Sequence, residues 1–372
     1  MTDDGAGEID LRRKGSIDRV LAPGQPRRQR LRGFDDEYAD IVDYIIRCTH
    51  RIWEELGVGL IYTHYRHNSV IHAGNDDVYG REAVVANTLQ TLAAFPDRKL
   101  YGDDVIWSGD DEAGFHTSHH LTTVGRNTGH SAYGPPTGRK LSWRSIAHCV
   151  VLENEIVEEW LLRDEIAVVR QLGLDEQVLA AARARSDLER GASVLAVGPV
   201  ERGLGQLAPQ PLSPASTGGD TGFDPADFVR RTLHDVWNRR LLNLLRASYD
   251  ESYRGRYPSG RRFAGPGDLA VFVLGLLAAF PDAKVTTEHL MWLGDGRGGY
   301  RVAVRWRFDG THEGHGEWGP PSGARVRMLG LSHLRVVGGR IAEESTLFDE
   351  FALLTQVWAA RLAAGTEPAR TD

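Results

Sequence analysis

The chain contains few cysteines. Only two occur in 372 residues, Cys48 and Cys149, and they stand in unrelated sequence contexts. Their scarcity excludes a disulfide-dense fold and the CxxC motifs typical of zinc and thiol redox sites. Chains with so few cysteines are typical of a reducing compartment, so we expect a cytoplasmic protein.

A long apolar run and an excess of positive charge are also missing. The longest apolar stretch, 269–280, is far shorter than the roughly 20 residues of a bilayer span, so it predicts a buried helix. The N-terminus has no apolar core of the signal-peptide kind. The net charge is −7, despite a local cluster of Arg27, Arg28, Arg30 and Arg32, so we expect neither a membrane nor a nucleic-acid partner.

The strongest pattern in the chain is an internal repeat. Ala-Ala-Phe-Pro-Asp occurs at 93–97 and again at 278–282, an offset of 185 residues. At the same offset, 14 of the 37 positions in 129–165 are identical to those in 314–350. Such similarity at a fixed offset identifies two copies of one domain.

The repeat sets the expected domain boundaries. We expect a polar N-terminal arm at 1–33 and a first domain at 34–175. A helix followed by a linker rich in Gly, Pro, Ala and Ser should occupy 176–223. The second domain should occupy 224–364, followed by a tail at 365–372.

Within each copy, helical patterns precede strand patterns. Each copy opens on a long amphipathic helix, and a second helix, roughly 81–94 or 266–279, stops at Phe-Pro because proline cannot continue it. Apolar residues then alternate with polar ones over 300–308, which predicts a half-buried strand. Two later strands are joined by a tight turn at 153–154, matched by 338–339. Each copy is therefore expected to be α+β, with helices packed on a curved antiparallel sheet around an apolar pocket.

Several motifs in this order resemble the SnoaL-like, polyketide cyclase-like branch of the nuclear transport factor 2-like superfamily. The matching pieces are Gly80-Arg81-Glu82, Ala93 to Asp97, Gly129-His130, Gly134 to Gly138, Glu158-Glu159-Trp160, Asp164 and Gln171-Leu172-Gly173. The resemblance implies two tandem cone-shaped α+β barrels with one pocket each. It also implies that the copies pair as an intramolecular pseudo-dimer, which could pair further into a homodimer. In cyclase members a pocket aspartate placed like Asp164 acts as acid/base.

Asp164 is therefore the first candidate for catalysis, with Asp349 as its second-copy counterpart. Asp164 follows Trp160 and Leu162 in strand alternation, so we expect its carboxylate to point into the pocket, where desolvation would raise its pKa. The alternative is a strand-end aspartate that caps the following helix.

Histidines supply further candidates. His148, matched by His333, lies sixteen residues before the aspartate and could pair with it as an acid/base couple; a structural hydrogen bond is the alternative. His119 aligns with the apolar Val304, so we expect it in the pocket or core of the first copy. The resemblance matches His72 to a histidine at the pocket mouth in the family. The alternative is that His72 is a loop residue without a role.

The run of histidines at 116–120 does not predict a metal site. On a strand His116 and His120 share one face and His119 the other, and neither a cysteine nor a carboxylate completes a ligand set. The chain also lacks P-loop and dinucleotide-binding patterns, so we expect no cofactor.

Aromatic and polar residues should form the substrate-binding wall, or the core. In the first copy these are Tyr62, Tyr65, Trp107, His130, Trp143 and Trp160, and in the second copy His312 and His315 join Asp349 and His333.

Together these residues predict a cofactor-independent acid/base enzyme acting on a small organic carbonyl or polyketide-like substrate, as a cyclase, isomerase or lyase/hydratase. The second copy has Ser345 where the first has Trp160, and Arg256 where the first has His72, so the first pocket is expected to be the active one. Two alternatives remain open: a non-catalytic small-molecule-binding module or pseudo-enzyme, and a hydrolase of the epoxide-hydrolase type.

Overall fold

The computed structural model describes residues 21–191 except 23, 25 and 75, and residues 222–366 except 296. Most of the predicted N-terminal arm and the segment 192–221 of the predicted linker lie outside the described residues. The chain divides into two compact units, with the boundary between Arg163 and Asp164.

The first unit combines helices with a six-stranded sheet. Its helices are α1 Ile41–Trp53, α2 Ile61–His64, preceded by a 3-10 turn at Val58–Leu60, and α3 Arg81–Ala94. Its strands are β1 Tyr65–Ala73, β2 Asp76–Tyr79, β3 Lys99–Asp110, β4 Gly114–Arg126, β5 Lys140–Leu152 and β6 Glu155–Arg163.

The sheet order in the first unit is β2-β1-β6-β5-β4-β3. β3 to β6 form the expected antiparallel meander, whereas β1 pairs with β6 in parallel. The sheet is therefore mixed rather than wholly antiparallel, because the chain returns from the helices to the edge of the last strand.

Local sequence explains where these elements begin and end. Asp40 caps α1 by accepting a hydrogen bond from the amide of Asp43, 2.8 Å away. α3 ends before Phe95, where Pro96 forbids another helical turn. The β5–β6 turn has positive φ at Glu153 (48°) and Asn154 (72°), as the turn of a tight hairpin requires.

The second unit repeats this architecture. Its helices are α4 Glu165–Leu172, α5 Glu176–Glu189, α6 Pro225–Leu233, which continues as a π turn at His234–Asn238, α7 Leu245–Ser248, α8 Gly265–Ala279 and α9 Glu350–Ala363. Its strands are β7 Tyr249–Arg256, β8 Arg262–Ala264, β9 Lys284–Asp295, β10 Gly299–Thr311, β11 Arg325–Val337 and β12 Arg340–Phe348. The order is β8-β7-β12-β11-β10-β9, again with one parallel pair, β7 with β12.

The expected end of the first domain at residue 175 differs from the compact division, because α4 belongs to the second unit; α5, expected as a helix before the linker, belongs to the second unit as well. The small side chains of Ala180, Ala181 and Ala184 on α5 are almost fully buried in the core that also contains α9. Trp358 on α9 donates its indole N–H to Oε1 of Gln177 at 2.9 Å. α5 is therefore a packed helix of the second unit.

None of the helices in the described ranges is long and apolar enough to cross a membrane. The longest apolar stretch lies within α8, where Leu269, Val273 and Leu276 are almost fully buried.

A buried glutamine fastens α9 to the sheet of the second unit. Oε1 of Gln356 accepts a hydrogen bond from the backbone N–H of Arg327, and its amide donates to the Arg327 carbonyl, both at 2.9 Å. The side chain is fully buried, so its loss would leave both backbone groups of Arg327 without these partners.

We therefore predict that Gln356→Ala lowers the free energy of unfolding by about 2 kcal/mol, the cost of burying unsatisfied polar groups. Urea denaturation followed by circular dichroism measures this. Gln90→Ala, at an exposed position of α3, is the control and should change stability by less than about 0.5 kcal/mol. Equal effects of the two variants would show that the Gln356 contacts contribute nothing specific.

Candidate functional site

The first unit encloses a pocket between α1 and the sheet. Its empty volume, including the part open to solvent, is about 740 Å³. The wall is largely apolar, with a few polar groups. It is formed by Ile45, Cys48, Thr49, Ile52, Trp53, Tyr65, Arg98, Leu100, His119, Leu121, Thr123, Trp143, Ser145, Ala147, Cys149, Ile156, Glu159, Leu161 and Arg163.

A β-bulge decides which side chains of β6 face this pocket. Val150 pairs with Glu158 and the next residue, Val151, pairs with Ile156, so β6 contains one extra residue, Val157. Without the bulge, alternation from Ile156 would turn residues 158, 160, 162 and 164 inward. With it, the pocket receives Glu159, Leu161 and Arg163.

Glu159 is the carboxylate of the pocket. It is 7% exposed, and its Oε2 accepts a hydrogen bond from the Tyr65 hydroxyl at 3.0 Å. Burial raises the pKa of Glu159, while Tyr65 and the positive charge of Arg163 oppose that rise. Among the described residues that line the pocket, Glu159 is the one acid.

Arg163 occupies the same face of β6 as Glu159. Its guanidinium makes no hydrogen bond or ion pair with any residue that the structure describes. Burial lowers the pKa of Arg163, and the charge of Glu159 partly offsets this. An arginine in this setting is available to bind an anionic group.

A second guanidinium on the wall belongs to Arg98 and is held by backbone carbonyls. Nε donates to the Phe95 carbonyl at 3.2 Å and a terminal nitrogen donates to the Thr91 carbonyl. The guanidinium also lies 5.4 Å from the ring centre of Trp53. Burial and the nearby charge of Arg163 lower the pKa of Arg98 to about 9.

Three of the residues predicted for the first copy lie on this wall: His119, Tyr65 and Trp143. The alignment of His119 with an apolar position of the second copy predicts this placement. His120, its neighbour, faces the other way and has its Nδ1 3.9 Å from Oδ2 of Asp103.

Asp164 does not line the pocket, so the expectation that its carboxylate points inward is wrong. It caps α4 by accepting from the amide of Ala167 at 3.3 Å, and it also accepts from the amide of Ser259 at 2.8 Å. The bulge at Val157 is the physical reason, because it reverses the faces of all later residues of β6.

His148, His72 and Trp160 lie away from the pocket wall. His148 is fully buried, and its ring centre lies 5.9 Å from that of Trp160. The ring of His72 stacks on the indole ring of Trp160, with the ring centres 5.0 Å apart. Nδ1 of His72 lies 2.7 Å from Oδ1 of Asp77, and Nε2 lies 3.0 Å from Oε1 of Glu158. The structure thus brings His72, His148 and Trp160 together, and none of them lines the pocket.

The remaining predicted residues of the first copy are also outside the wall. Tyr62 is 43% exposed and donates to Oε2 of Glu82 at 2.9 Å. Trp107 packs edge-on against Phe115, with ring centres 6.1 Å apart. His130 is exposed.

The second unit has its own pocket, with an empty volume of about 390 Å³. Its carboxylate is Glu344, at the position matching Glu159. Glu344 accepts hydrogen bonds from Tyr253 (3.0 Å), Tyr257 (2.5 Å) and Thr346 (2.6 Å). Burial raises its pKa and these hydroxyls oppose the rise.

None of the second-copy residues predicted for the site lines this pocket as the structure describes it. Asp349 caps α9 by accepting from the amide of Ala352 at 2.7 Å, and burial raises its pKa to about 6. Burial lowers the pKa of His312 to about 4. His333 is buried, whereas His315 is exposed.

Sequence reasoning missed Glu159, Arg163 and Arg98. One signal was present, because Glu158-Glu159 returns as Glu343-Glu344 at the repeat offset. The repeat cannot say which of the two glutamates faces inward, since that depends on the bulge.

This chain is similar over part of its length to several solved structures. IdmH from Streptomyces antibioticus is 26% identical, with 36% of this chain and 99% of that chain covered and a TM-score of 0.32. A SnoaL-like protein from Jannaschia sp. CCS1 is 22% identical, covering 40% and 98%, with a TM-score of 0.32. A protein with a ketosteroid isomerase-like fold from Catenulispora acidiphila is 14% identical, covering 35% and 93%, with a TM-score of 0.30. A search of curated proteins gives no match.

The family model described as SnoaL-like polyketide cyclase matches residues 44–172 and 227–357, which is more than half of the chain. Both matches fall on the repeated helix-and-sheet architecture, and they confirm the resemblance and the tandem nuclear transport factor 2-like α+β fold expected from the sequence. The chain therefore belongs to the SnoaL-like polyketide cyclase family and carries the family's domain twice.

Proposed function

We propose that this protein is a cofactor-independent acid/base enzyme that transfers protons on a small organic carbonyl or polyketide-like substrate in the pocket of the first unit. Glu159, a buried carboxylate facing an otherwise mainly apolar cavity, is the observation that carries the proposal. Family membership supports a cyclase- or isomerase-type role in general terms.

Glu159 is suited to remove a proton from a carbon next to a carbonyl. Desolvation raises its pKa, so the ionised carboxylate is a stronger base than one in water. The Tyr65 hydroxyl, 3.0 Å from Oε2, fixes the orientation of the carboxylate. After proton transfer the neutral acid can return the proton to another atom of the substrate, as a ring closure or isomerisation requires.

The negative charge that develops on the substrate oxygen needs a partner in a pocket of this kind. Two guanidinium groups on the wall, those of Arg98 and Arg163, supply positive charge there, and backbone carbonyls hold the Arg98 group in place. Preorganised charge of this type stabilises an enolate without reorganising during the reaction.

For the second unit we propose a non-catalytic role, as a pseudo-enzyme domain. Three hydroxyls already hydrogen-bond Glu344. Trp306 occupies part of the cavity and donates its indole N–H to Ser332 at 2.9 Å. Because these hydroxyls occupy most of the lone pairs of the carboxylate, few remain to accept a hydrogen bond or a proton from a substrate.

A hydrolase of the epoxide-hydrolase type fits the first pocket less well. Such an enzyme activates water with a pair of carboxylates around further polar groups. The wall contributes Glu159 as its one acid among the described lining residues.

Glu159→Gln should reduce proton exchange at carbon at least about 100-fold, the usual contribution of a general base. The measurement is deuterium incorporation next to the carbonyl of 2-tetralone in D₂O, followed by proton NMR with wild-type protein and a protein-free blank. Glu344→Gln, the matched change in the second pocket, should leave the rate unchanged.

Asp164→Asn separates this proposal from the role that the family resemblance implies. Asparagine can still accept the cap hydrogen bonds, so the variant should fold and exchange at the wild-type rate. If Asp164→Asn abolishes exchange while Glu159→Gln retains it, the assignment to Glu159 fails.

The pH dependence of exchange and of stability should both report the raised pKa of Glu159. Because the base must be ionised, the rate should fall as pH decreases through a pKa above 4.5. A raised folded-state pKa stabilises the fold below the unfolded-state pKa, and that contribution is lost as pH rises through the folded-state value. Glu159→Gln should therefore be more stable than wild type at pH 8, with the difference vanishing near pH 4.

Urea denaturation at pH 4, 6 and 8 measures the stability difference. Glu189→Gln, at an exposed helical position, is the control and should show no comparable change with pH. A Glu159→Gln variant that is less stable than wild type at every pH would contradict a desolvated carboxylate at this position.

A further inference from the structure

Arg163 has no evident structural function in the first unit. Its side chain is partly withdrawn from water, which costs free energy unless an anion or hydrogen-bond acceptors compensate. No described residue provides such a contact, although Glu159 acts on it electrostatically. The contacts of Arg163 within the described residues therefore do not explain why a cation occupies this position.

The second copy shows that the fold does not require this arginine. The position matching Arg163 is Phe348, which is 2% exposed in the core of its unit. The position matching Arg98 is Ala283, 1% exposed. Both backbones form the same strand and helix arrangement, so the positive charges are a property of the first pocket rather than of the fold.

The hydroxyl groups near Arg163 follow the same pattern. Thr123 and Ser145 line the first pocket, and the matching residues of the second copy are Phe308 and Gly330, which offer no side-chain donor. The glutamate, in contrast, is present in both copies. At these positions the first pocket therefore carries hydroxyl groups and positive charge that the second lacks, around a carboxylate that both share.

We propose that the ligand of the first pocket is an organic anion, a carboxylate on an aromatic or alicyclic carbon skeleton, and that Arg163 binds its carboxylate group. The inference deepens the proposed function by naming the substrate class of the same site, and it rests on that function. A guanidinium presents paired N–H donors that match the two oxygens of a carboxylate. Trp53 and Trp143 on the wall provide flat apolar surface for the skeleton.

The spacing on β6 separates the residue that binds the ligand's carboxylate, Arg163, from the residue that transfers the proton, Glu159. Glu159 and Arg163 are four residues apart on one face, so their Cα atoms lie about 13 Å apart at a rise of about 3.3 Å per residue. The carboxylate of the ligand can therefore contact Arg163 while a carbon several bonds away reaches Glu159. This arrangement also keeps the two negative charges apart.

A matched pair of probes tests the proposal by isothermal titration calorimetry at pH 7.5: 2-naphthoate, and its neutral methyl ester. Wild-type protein should bind 2-naphthoate more tightly than the ester. Arg163→Gln should weaken 2-naphthoate binding about 10- to 100-fold, the effect of losing a charge-assisted hydrogen-bonded pair, and should leave ester binding unchanged. Arg163→Lys keeps the charge but not the paired donors, so it should show a smaller loss.

Two further variants keep the test decisive. Arg66→Gln removes an arginine that pairs with Glu155 at 3.1 Å outside the pocket wall, and it should not affect either probe. Arg163→Phe introduces the residue that the second copy already accommodates, so it should fold even if Arg163→Gln does not. It should lose 2-naphthoate binding in the same way.

The proposal is overturned if Arg163→Gln and Arg163→Phe bind 2-naphthoate as tightly as wild type, or if the ester binds as tightly as the acid. Its failure can be distinguished from failure of the proposed function. Glu159→Gln should abolish exchange on 2-tetralone but retain 2-naphthoate binding. Loss of binding in the Arg163 variants with normal exchange in Glu159→Gln would leave the anion site standing and refute the proton-transfer role.

Discussion

The extra residue in the last strand of each sheet is the constraint on which both pockets depend. Val157 in β6, and Ala342 at the matching place in β12, are inserted opposite a partner strand that has no additional residue. Each bulge reverses the faces of the residues after it. The reversal turns Glu159 and Glu344 into their cavities, and it leaves Asp164 and Asp349 at strand ends, where they cap the next helices.

Burying a carboxylate costs free energy, and the two units compensate for that cost differently. Around Glu344, two tyrosines and a threonine donate hydrogen bonds at 2.5–3.0 Å, which makes the site a closed polar network. Around Glu159, the Tyr65 hydroxyl donates one hydrogen bond and Arg163 acts through its charge. The arrangement around Glu344 favours stability. The arrangement around Glu159 leaves a carboxylate and a guanidinium able to interact with a ligand.

Much of the fold could be predicted because its signals are local. Proline after Phe95 and the 153–154 turn place element ends to within about one residue, and the repeat transfers each assignment to the second copy. His119 could be placed in or near the pocket from its alignment with an apolar position of the second copy. Asp164 could not be placed in this way, because the bulge leaves no mark in the alternation: each face of β6 carries both apolar and charged residues. The assignment of α5 to the second unit depends on its packing against α9. The two helices are far apart in sequence, so no local pattern predicts that contact.

One part of the difference between the two cavities rests on a coupled pair of residues. Trp306 lies directly opposite Gly330 in the sheet, and a Cβ added at Gly330 would come within 2.1 Å of the indole ring. The first copy has Leu121 opposite Ser145 at these positions. A tryptophan at 121 would therefore collide with the Ser145 side chain unless that residue also became glycine. Filling the first cavity in the way that Trp306 fills space in the second therefore requires two changes together, a tryptophan at 121 and a glycine at 145.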